Sequence, residues 1–482
     1  MSDLRDPLPA LVAVVDEPAW LVGGAVRDRA LGRETDDYDV VVLGDARGLA
    51  RSLARSTDAH AFALSEAFGV WRVVDREHRW QVDVLPVVGE SIEADLAGRD
   101  FTINAIAEPL GGGPYVDPFG GLLDLQDRRL RMVSPRAFVE DPLRALRLAR
   151  LSGELGFSVD SDTVAAARAG SAELAQVAPE RIFVELKRIL IADRALEGLD
   201  LMDAVGATDV VLPELSAMRG IEQSPYHHLD VYEHTRLVLA EAIALDREPA
   251  PWLGEHAEAV AEFLAEPLAN ELTRGQALRF GALLHDVAKP ATRQVTPEGR
   301  VTFLGHDAAG ADTAAAILTR LRASDRLREH VAGLTRHHLR LGFLVHEMPI
   351  GRRAIYQYLR ACDPVQVDVT LLSVADRLAT RGRGSEAAIA RHLELARQLL
   401  GEALAWRSVP PRPPLRGDEL AEAVGLRPGR ELGRILAELE EASFAGEITS
   451  REEAIAVARS LAGGSGRGGS ARGGPAVDRP PR

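Results

Sequence analysis

Apolar positions follow two different rhythms along this chain. Up to about residue 133, short β-branched runs alternate with helical stretches. VVVL at 40–43, VWRVVD at 70–75 and WQVDVLPVV at 80–88 read as strands, and 45–56 reads as a helix. From 134 to about 220, Leu and Ala recur at helical spacing, with Pro135, Pro142 and Pro179 near helix starts. Residues 221–385 are also helical and hold nearly all the histidines. A Pro-rich linker, VPPRPPLR at 409–416, lies within a helical C-terminal region, 386–462. The stretch 463–482 is rich in Gly, Arg and Pro and is expected to be disordered. The expected class is therefore α+β: a mixed head over 1–133, followed by all-α regions over 134–220, 221–385 and 386–462.

Composition narrows the picture. A chain of 482 residues exceeds one core and suggests roughly three domains. Its 46% hydrophobic and 27% charged residues are ordinary for a soluble globular protein. No run of 18 apolar residues occurs, which argues against a transmembrane helix. The first twenty residues lack the basic segment of a signal peptide. The single cysteine, Cys362, rules out a disulfide within these residues and a cysteine-based zinc cluster, and fits a reducing cytoplasm. The net charge of −15 argues against bulk adhesion to nucleic acid or anionic lipid. It leaves room for a local basic groove, and arginines do cluster between Arg128 and Arg150.

The densest chemistry lies in LVGGAVRDRALGRETDDYDVVV, residues 21–42. On a strand, Asp37 and Asp39 share a face because side chains alternate with period 2. Two carboxylates on a strand edge can hold Mg²⁺, and the bare backbone at Gly23-Gly24 lets a triphosphate approach. Asp83, on the strand predicted at 80–88, is the candidate third carboxylate. In Arg99-Asp100-Phe101-Thr102-Ile103-Asn104, Arg99 can hold phosphate oxygens. Asp100 and Asn104 can read a ribose hydroxyl or orient another side chain, and Asp100 or Thr102 can equally cap a helix. Pro142 suits the first turn of a further helix, where Asp141 and Arg144 would share a face. A carboxylate beside a guanidinium can imitate a base-pairing edge; it can also be a plain ion pair. Arg147 is placed for an RNA or phosphate contact.

Taken together, GGAVRD…DYD, GRDFTINA, EDPLRALRLARLSGELGF and PERIFVELKRIL (179–190) resemble the successive motifs of bacterial class II tRNA nucleotidyltransferases, the CCA-adding enzymes and their poly(A) polymerase relatives. The resemblance implies a polymerase-β-like nucleotidyltransferase head and a helical neck. It implies that Asp37 and Asp39 bind catalytic Mg²⁺ and that Gly23, Gly24, Arg27 and Asp28 surround the triphosphate. It places Arg99 and Asp100 on the ribose and phosphate motif, and Asp141 and Arg144 on the base-reading motif. The implied reaction adds C and A nucleotides from CTP and ATP to the tRNA 3′ end. Poly(A) tailing, or addition of CC alone or A alone, shares the same head chemistry. One departure stands out: the family usually has two arginines before the aspartate of GRD, and position 98 here is Gly.

The histidines form an ordered set: His234, His285-Asp286, His306, His337-His338 and the distant Asp376. Imidazoles and carboxylates together suit a divalent metal with open positions for water and phosphate. The set resembles HD-superfamily metal-dependent phosphohydrolases over roughly 228–380, with His234, His285, Asp286 and Asp376 as primary ligands. His306, His337 and His338 complete a second metal site or bind phosphate, and Lys289 can hold a phosphate. A reading of another class follows: an HD phosphohydrolase whose head serves as a nucleotide sensor or RNA-binding module. The C-terminal region resembles the tRNA-gripping tail of the same nucleotidyltransferases.

Overall fold

The computed structural model describes residues 6–223, 229–380 and 385–465. The tail expected to be disordered lies almost wholly outside this range, as do His227 and His228. By backbone contacts the chain forms two compact units, one of 1–217 with 320–323 and one holding the rest.

The first unit is organised by a six-stranded sheet. Its strands are β1 (Ala19–Val22), β2 (Asp37–Val42), β3 (His60–Ser65), β4 (Val70–Val74), β5 (Gln81–Pro86) and β6 (Ala107–Pro109), in the order β3-β4-β5-β2-β1-β6. The strands predicted around 40–43, 70–75 and 80–88 are present. β2 and β5 run parallel, with Asp37 opposite Gln81 and Asp39 opposite Asp83. All other neighbours in the sheet are antiparallel. The helix Ala46–Thr57 buries Leu49, Ala50 and Leu53. Val22, Val41, Ile92, Leu96, Ala105 and Ala107 form a separate apolar cluster. With their backs held in apolar cores, the strands keep their carboxylate-bearing ends fixed. Helices from Arg144–Leu155 to Pro213–Ser216 complete the unit. The predicted helix start at Pro142 is moved by two residues. Asp141, before a proline, is extended (φ −143°, ψ 99°), and the helix begins at Arg144.

The second unit is mainly helical. Helices Val231–Arg247, Arg274–Leu284 and Gln366–Ala379 pack on one another, and the long helix Ser385–Ser408 lies against the last of them. A separate core runs from Leu415 to Ala458, built by helices Gly417–Val424, Arg430–Phe444 and Arg451–Ser465. No helix among the described residues is long and apolar enough to cross a membrane. Cys362 is free and buried.

Candidate active site and histidine centre

In the first unit, one cleft of about 760 Å³ gathers most of the residues singled out for metal and nucleotide binding; Asp83 and Asp141 are not in its lining. Asp37, Asp39, Gly23, Gly24, Arg27, Asp28, Arg99, Asp100, Asn104, Arg144 and Arg147 all line it. Asp37 and Asp39 project from the same face of β2, as alternation requires, and Asp83 stands beside Asp39 in register on β5. Burial pushes the Asp39 carboxyl up to about 6; Arg99 opposes the rise, and Asp37 and Asp83 add to it. Arg99 and Arg72 do not bring Asp39 back to the ordinary carboxylate range, and a divalent cation beside Asp37 and Asp39 would.

Gly23 turns the chain from β1 into helix Gly24–Ala30 with φ 71° and ψ −136°, a conformation open almost only to glycine. A Cβ there would come within 3.0 Å of Arg99 Nη1 and 3.2 Å of Asp39 Oδ2. The bare turn therefore lets a cation-bearing side chain and a carboxylate meet over the backbone. Asp95 holds Arg99 in turn, at 3.1 Å.

A linked set of polar contacts forms the next wall. Arg27 donates to both oxygens of Asp28 (2.9 and 2.8 Å) and to Asn104 Oδ1 (2.9 Å). Asn104 Nδ2 donates to Asp100 Oδ1 at 3.0 Å, which also accepts from the Phe101 amide. Arg147 reaches Asp100 at 3.6 Å and donates to Glu185 at 3.1 Å. Arg150 donates to the other Glu185 oxygen at 2.6 Å. The side chains of Asp141 and Arg144 are not paired with each other, although the Arg144 amide donates to the Asp141 carbonyl at 3.0 Å. Arg144 lines the cleft, donating to the Gly98 carbonyl at 2.6 Å. Asp141 accepts from Arg181 at 2.9 Å.

In the second unit, the histidine set converges. His234 and Asp376 meet at 3.0 Å, and His285 Nε2 lies 3.1 Å from Asp286. Asp286 is also 3.3 Å from His306 and 3.7 Å from His338. Two groups have ligand atoms close enough to share an ion: His234, His285 and Asp376, and Asp286, His306 and His338. His285, His306 and His338 each direct Nδ1 to the carbonyl three residues earlier, at 2.9, 2.7 and 2.6 Å. Since a carbonyl only accepts, Nδ1 carries a proton, and in the neutral ring Nε2 keeps its lone pair. Those three Nε2 atoms are buried and have no hydrogen-bond partner. Burial, reinforced by His285, brings His338 down to about 4, so its ring is neutral at pH 7. These are ligand atoms prepared for a metal. His337 points elsewhere and accepts from Arg340. Lys289 is engaged by Asp286 at 2.6 Å and Gln223 at 2.7 Å.

Comparison with known proteins agrees with this arrangement. Three family profiles match in order: Poly A polymerase head domain over 19–131, probable RNA and SrmB-binding site of polymerase A over 156–218, and HD domain over 253–381. An A-adding tRNA nucleotidyltransferase of Deinococcus radiodurans is 35% identical, covering 93% of this chain and 96% of that protein. The chain belongs to the tRNA nucleotidyltransferase family. A CC-adding member from Thermus thermophilus is also 35% identical, over 90% of this chain and 92% of its own length. Among solved structures, a CCA-adding enzyme with ATP aligns over 95% of this chain and 94% of its own, with a TM-score of 0.63 at 20% identity; this likeness concerns the fold. This tRNA nucleotidyltransferase thus has the polymerase-type head, helical neck and HD domain expected from its motifs.

Several partners of the site escape sequence reading. Arg72 donates from Nε and Nη2 to the two oxygens of Asp83, both at 2.7 Å. Glu185 is buried and holds two arginines of this nucleotidyltransferase's neck. Only the alternation of VWRVV, which puts Arg72 on one face between apolar neighbours, hints at the first. Glu185 sits within a helical motif and carries no local signal of its own.

Proposed function

We propose that this chain adds C and A nucleotides to the 3′ end of tRNA from CTP and ATP, releasing pyrophosphate. The observation that carries the reading is the cleft in which Asp37 and Asp39 lie beside the Gly23 turn and an arginine wall, with Asp83 next to Asp39 on the neighbouring strand. The Gly23-Gly24 backbone and Arg27 receive the triphosphate, with Arg99 neutralising its oxygens. Asp100 and Asn104 orient the ribose. Arg144, and Asp141 once it leaves Arg181, select the base; Arg147 adds a phosphate contact. The RNA 3′-hydroxyl attacks the α-phosphorus in line; the new P–O ester forms as the bond to the β-phosphate breaks, and the hydroxyl proton is lost. Divalent cations held by Asp37, Asp39 and Asp83, magnesium in this reading, would supply positive charge to the reacting phosphates.

The test is sequencing of the products made from tRNA lacking its CCA, with CTP and ATP supplied singly and together. Incorporation of CCA supports the reading; no incorporation beside a working control enzyme overturns it. Equal similarity to an A-adding and a CC-adding relative gives the split activities a specific place: each would be read directly from the single-nucleotide lanes. A tail growing past one CCA would mark a poly(A) polymerase.

The converging imidazoles support a second activity in the same chain, phosphohydrolase or phosphodiesterase chemistry with His234, His285, Asp286 and Asp376 as metal ligands, aided by His306 and His338. It predicts chelator-sensitive phosphatase activity that His285→Ala removes while CCA addition persists. We place both activities in the cytoplasm, where a buried lone thiol stays reduced.

A further inference from the structure

Asp83 is the candidate third carboxylate, yet neither of its oxygens is free. Arg72 takes both at 2.7 Å in a fork-to-fork pair. The sheet builds this pair in. Arg72 and Asp83 are opposite one another on β4 and β5, and Asp83 is opposite Asp39 on β2. One row across the sheet therefore reads Arg72, Asp83, Asp39. The two side chains are only 28% and 12% exposed, so water competes weakly for either.

A cation shared with Asp39 and an arginine fork cannot both hold Asp83 fully. For the carboxylate to turn toward a cation, the guanidinium needs another acceptor, and phosphate oxygens match its geometry as well as carboxylates do. Position within the sheet indicates where that phosphate comes from. The triphosphate turn at Gly23 follows β1, on one side of Asp39; Arg72 is on β4, on the other side. In-line displacement places the acceptor opposite the leaving pyrophosphate. The RNA end therefore approaches on the Arg72 side.

Resting on the nucleotidyl-transfer reading, we infer that Arg72 is a positioning residue that withholds Asp83 from the cation until a phosphodiester of the RNA acceptor takes over its guanidinium. In the substrate-free protein, a divalent cation binds through Asp37 and Asp39. The third ligand joins only when RNA is present, so the complete ligand set does not form around a nucleotide with water alone as acceptor.

Mn²⁺ binding, followed by electron paramagnetic resonance, tests this without relying on turnover. The full chain carries His285→Ala and His338→Ala throughout, to silence the histidine centre. In the free protein Asp83→Asn should change the Mn²⁺ dissociation constant by less than roughly twofold. In an Arg72→Met background the same change should weaken binding about tenfold. Adding tRNA that lacks its CCA should make Asp83→Asn equally costly with Arg72 intact, whereas a non-hydrolysable CTP analogue should not. Arg72→Lys, which keeps a cation without the fork, should fall between, and guards against misfolding of the methionine variant; melting curves report on both. A tenfold loss from Asp83→Asn in the free protein overturns the inference. So does indifference to Asp83 in every arm. Unlocking by the CTP analogue overturns the RNA assignment. Since no arm measures nucleotide addition, failure here is distinguishable from failure of the proposed function.

Discussion

Replacing Gly23 by alanine puts the turn over the carboxylates under a defined load. Its φ of 71° and ψ of −136° lie where a side chain costs about 1–3 kcal/mol. Taking roughly 2 kcal/mol, the melting midpoint of the first unit should drop by about 4–8 °C. The new Cβ also meets Arg99 Nη1 at 3.0 Å and Asp39 Oδ2 at 3.2 Å. Arg99 can swing aside, being the end of a flexible chain; Asp39 sits on a strand and cannot. Displacing a charge-assisted phosphate contact forfeits about 1.5–3 kcal/mol, so kcat/KM for the nucleotide should fall roughly 10- to 150-fold. Gly24→Ala is the internal control for the melting measurement. Its Cβ would find nothing closer than Arg27 Nη2 at 3.5 Å, an ordinary contact. It lies inside the helix Gly24–Ala30, where alanine is favoured over glycine. Thermal melts of the two variants and steady-state nucleotide addition by Gly23→Ala decide the matter. If Gly23→Ala and Gly24→Ala melt alike, the argument from turn geometry is wrong.

Asp39→Asn should reduce addition at least about a thousandfold, the equivalent of roughly 4 kcal/mol, while tRNA binding measured by filter retention persists. Because burial raises the folded carboxyl to about 6, the metal-free protein gains stability from this group as pH falls through 6 toward the ordinary aspartate range, and bears the full penalty above 6. Metal-free Asp39→Asn should therefore melt higher than wild type at pH 7.5, with the gap closing near pH 4; a lower melt at pH 7.5 would contradict this. Gly98→Arg should lower KM for CTP or ATP by about 3- to 10-fold through an added phosphate contact. Position 98 has an unremarkable φ of −82°, and a Cβ there meets only the Asp95 carbonyl at 3.5 Å, so an unchanged or higher KM refutes the reasoning. Glu185→Ala should cost about 1–3 kcal/mol, read by denaturant melts, because Arg147 and Arg150 lose their shared carboxylate while Arg150 keeps Glu154 and Arg147 keeps Asp100.

What the sequence reveals here depends on how local the determining physics is. Strand alternation is local, so Asp37 and Asp39 are legible as a same-face pair. The partnership of Asp83 with Asp39 needs only that two apolar runs lie side by side. The Arg72–Asp83 pair depends on register across the β4–β5 hairpin, which composition does not specify. β1, β3 and β6 are harder to read: two are four residues or fewer, and β3 is a half-exposed edge. Spacing of three suggests that Asp141 and Arg144 share a face. The proline between them keeps Asp141 out of the helix, and Arg181, forty positions away, takes its carboxylate. Among the histidines the elements are recognisable by order, but which ring faces inward is a matter of helix phase. His338 is buried while its neighbour His337 is only half-buried.

Three imidazoles of the second unit borrow the carbonyls of Ala282, Phe303 and Thr335 to fix their tautomers. His285 and His338 do so at the C-terminal ends of their helices, where buried backbone acceptors lack an intrahelical partner. The last turn of each of those helices thus serves as the spring that aims a ring. Fraying of the turn and loss of the ligand become one event, so occupancy of the centre should register as slowed amide hydrogen exchange at helix ends that touch no substrate.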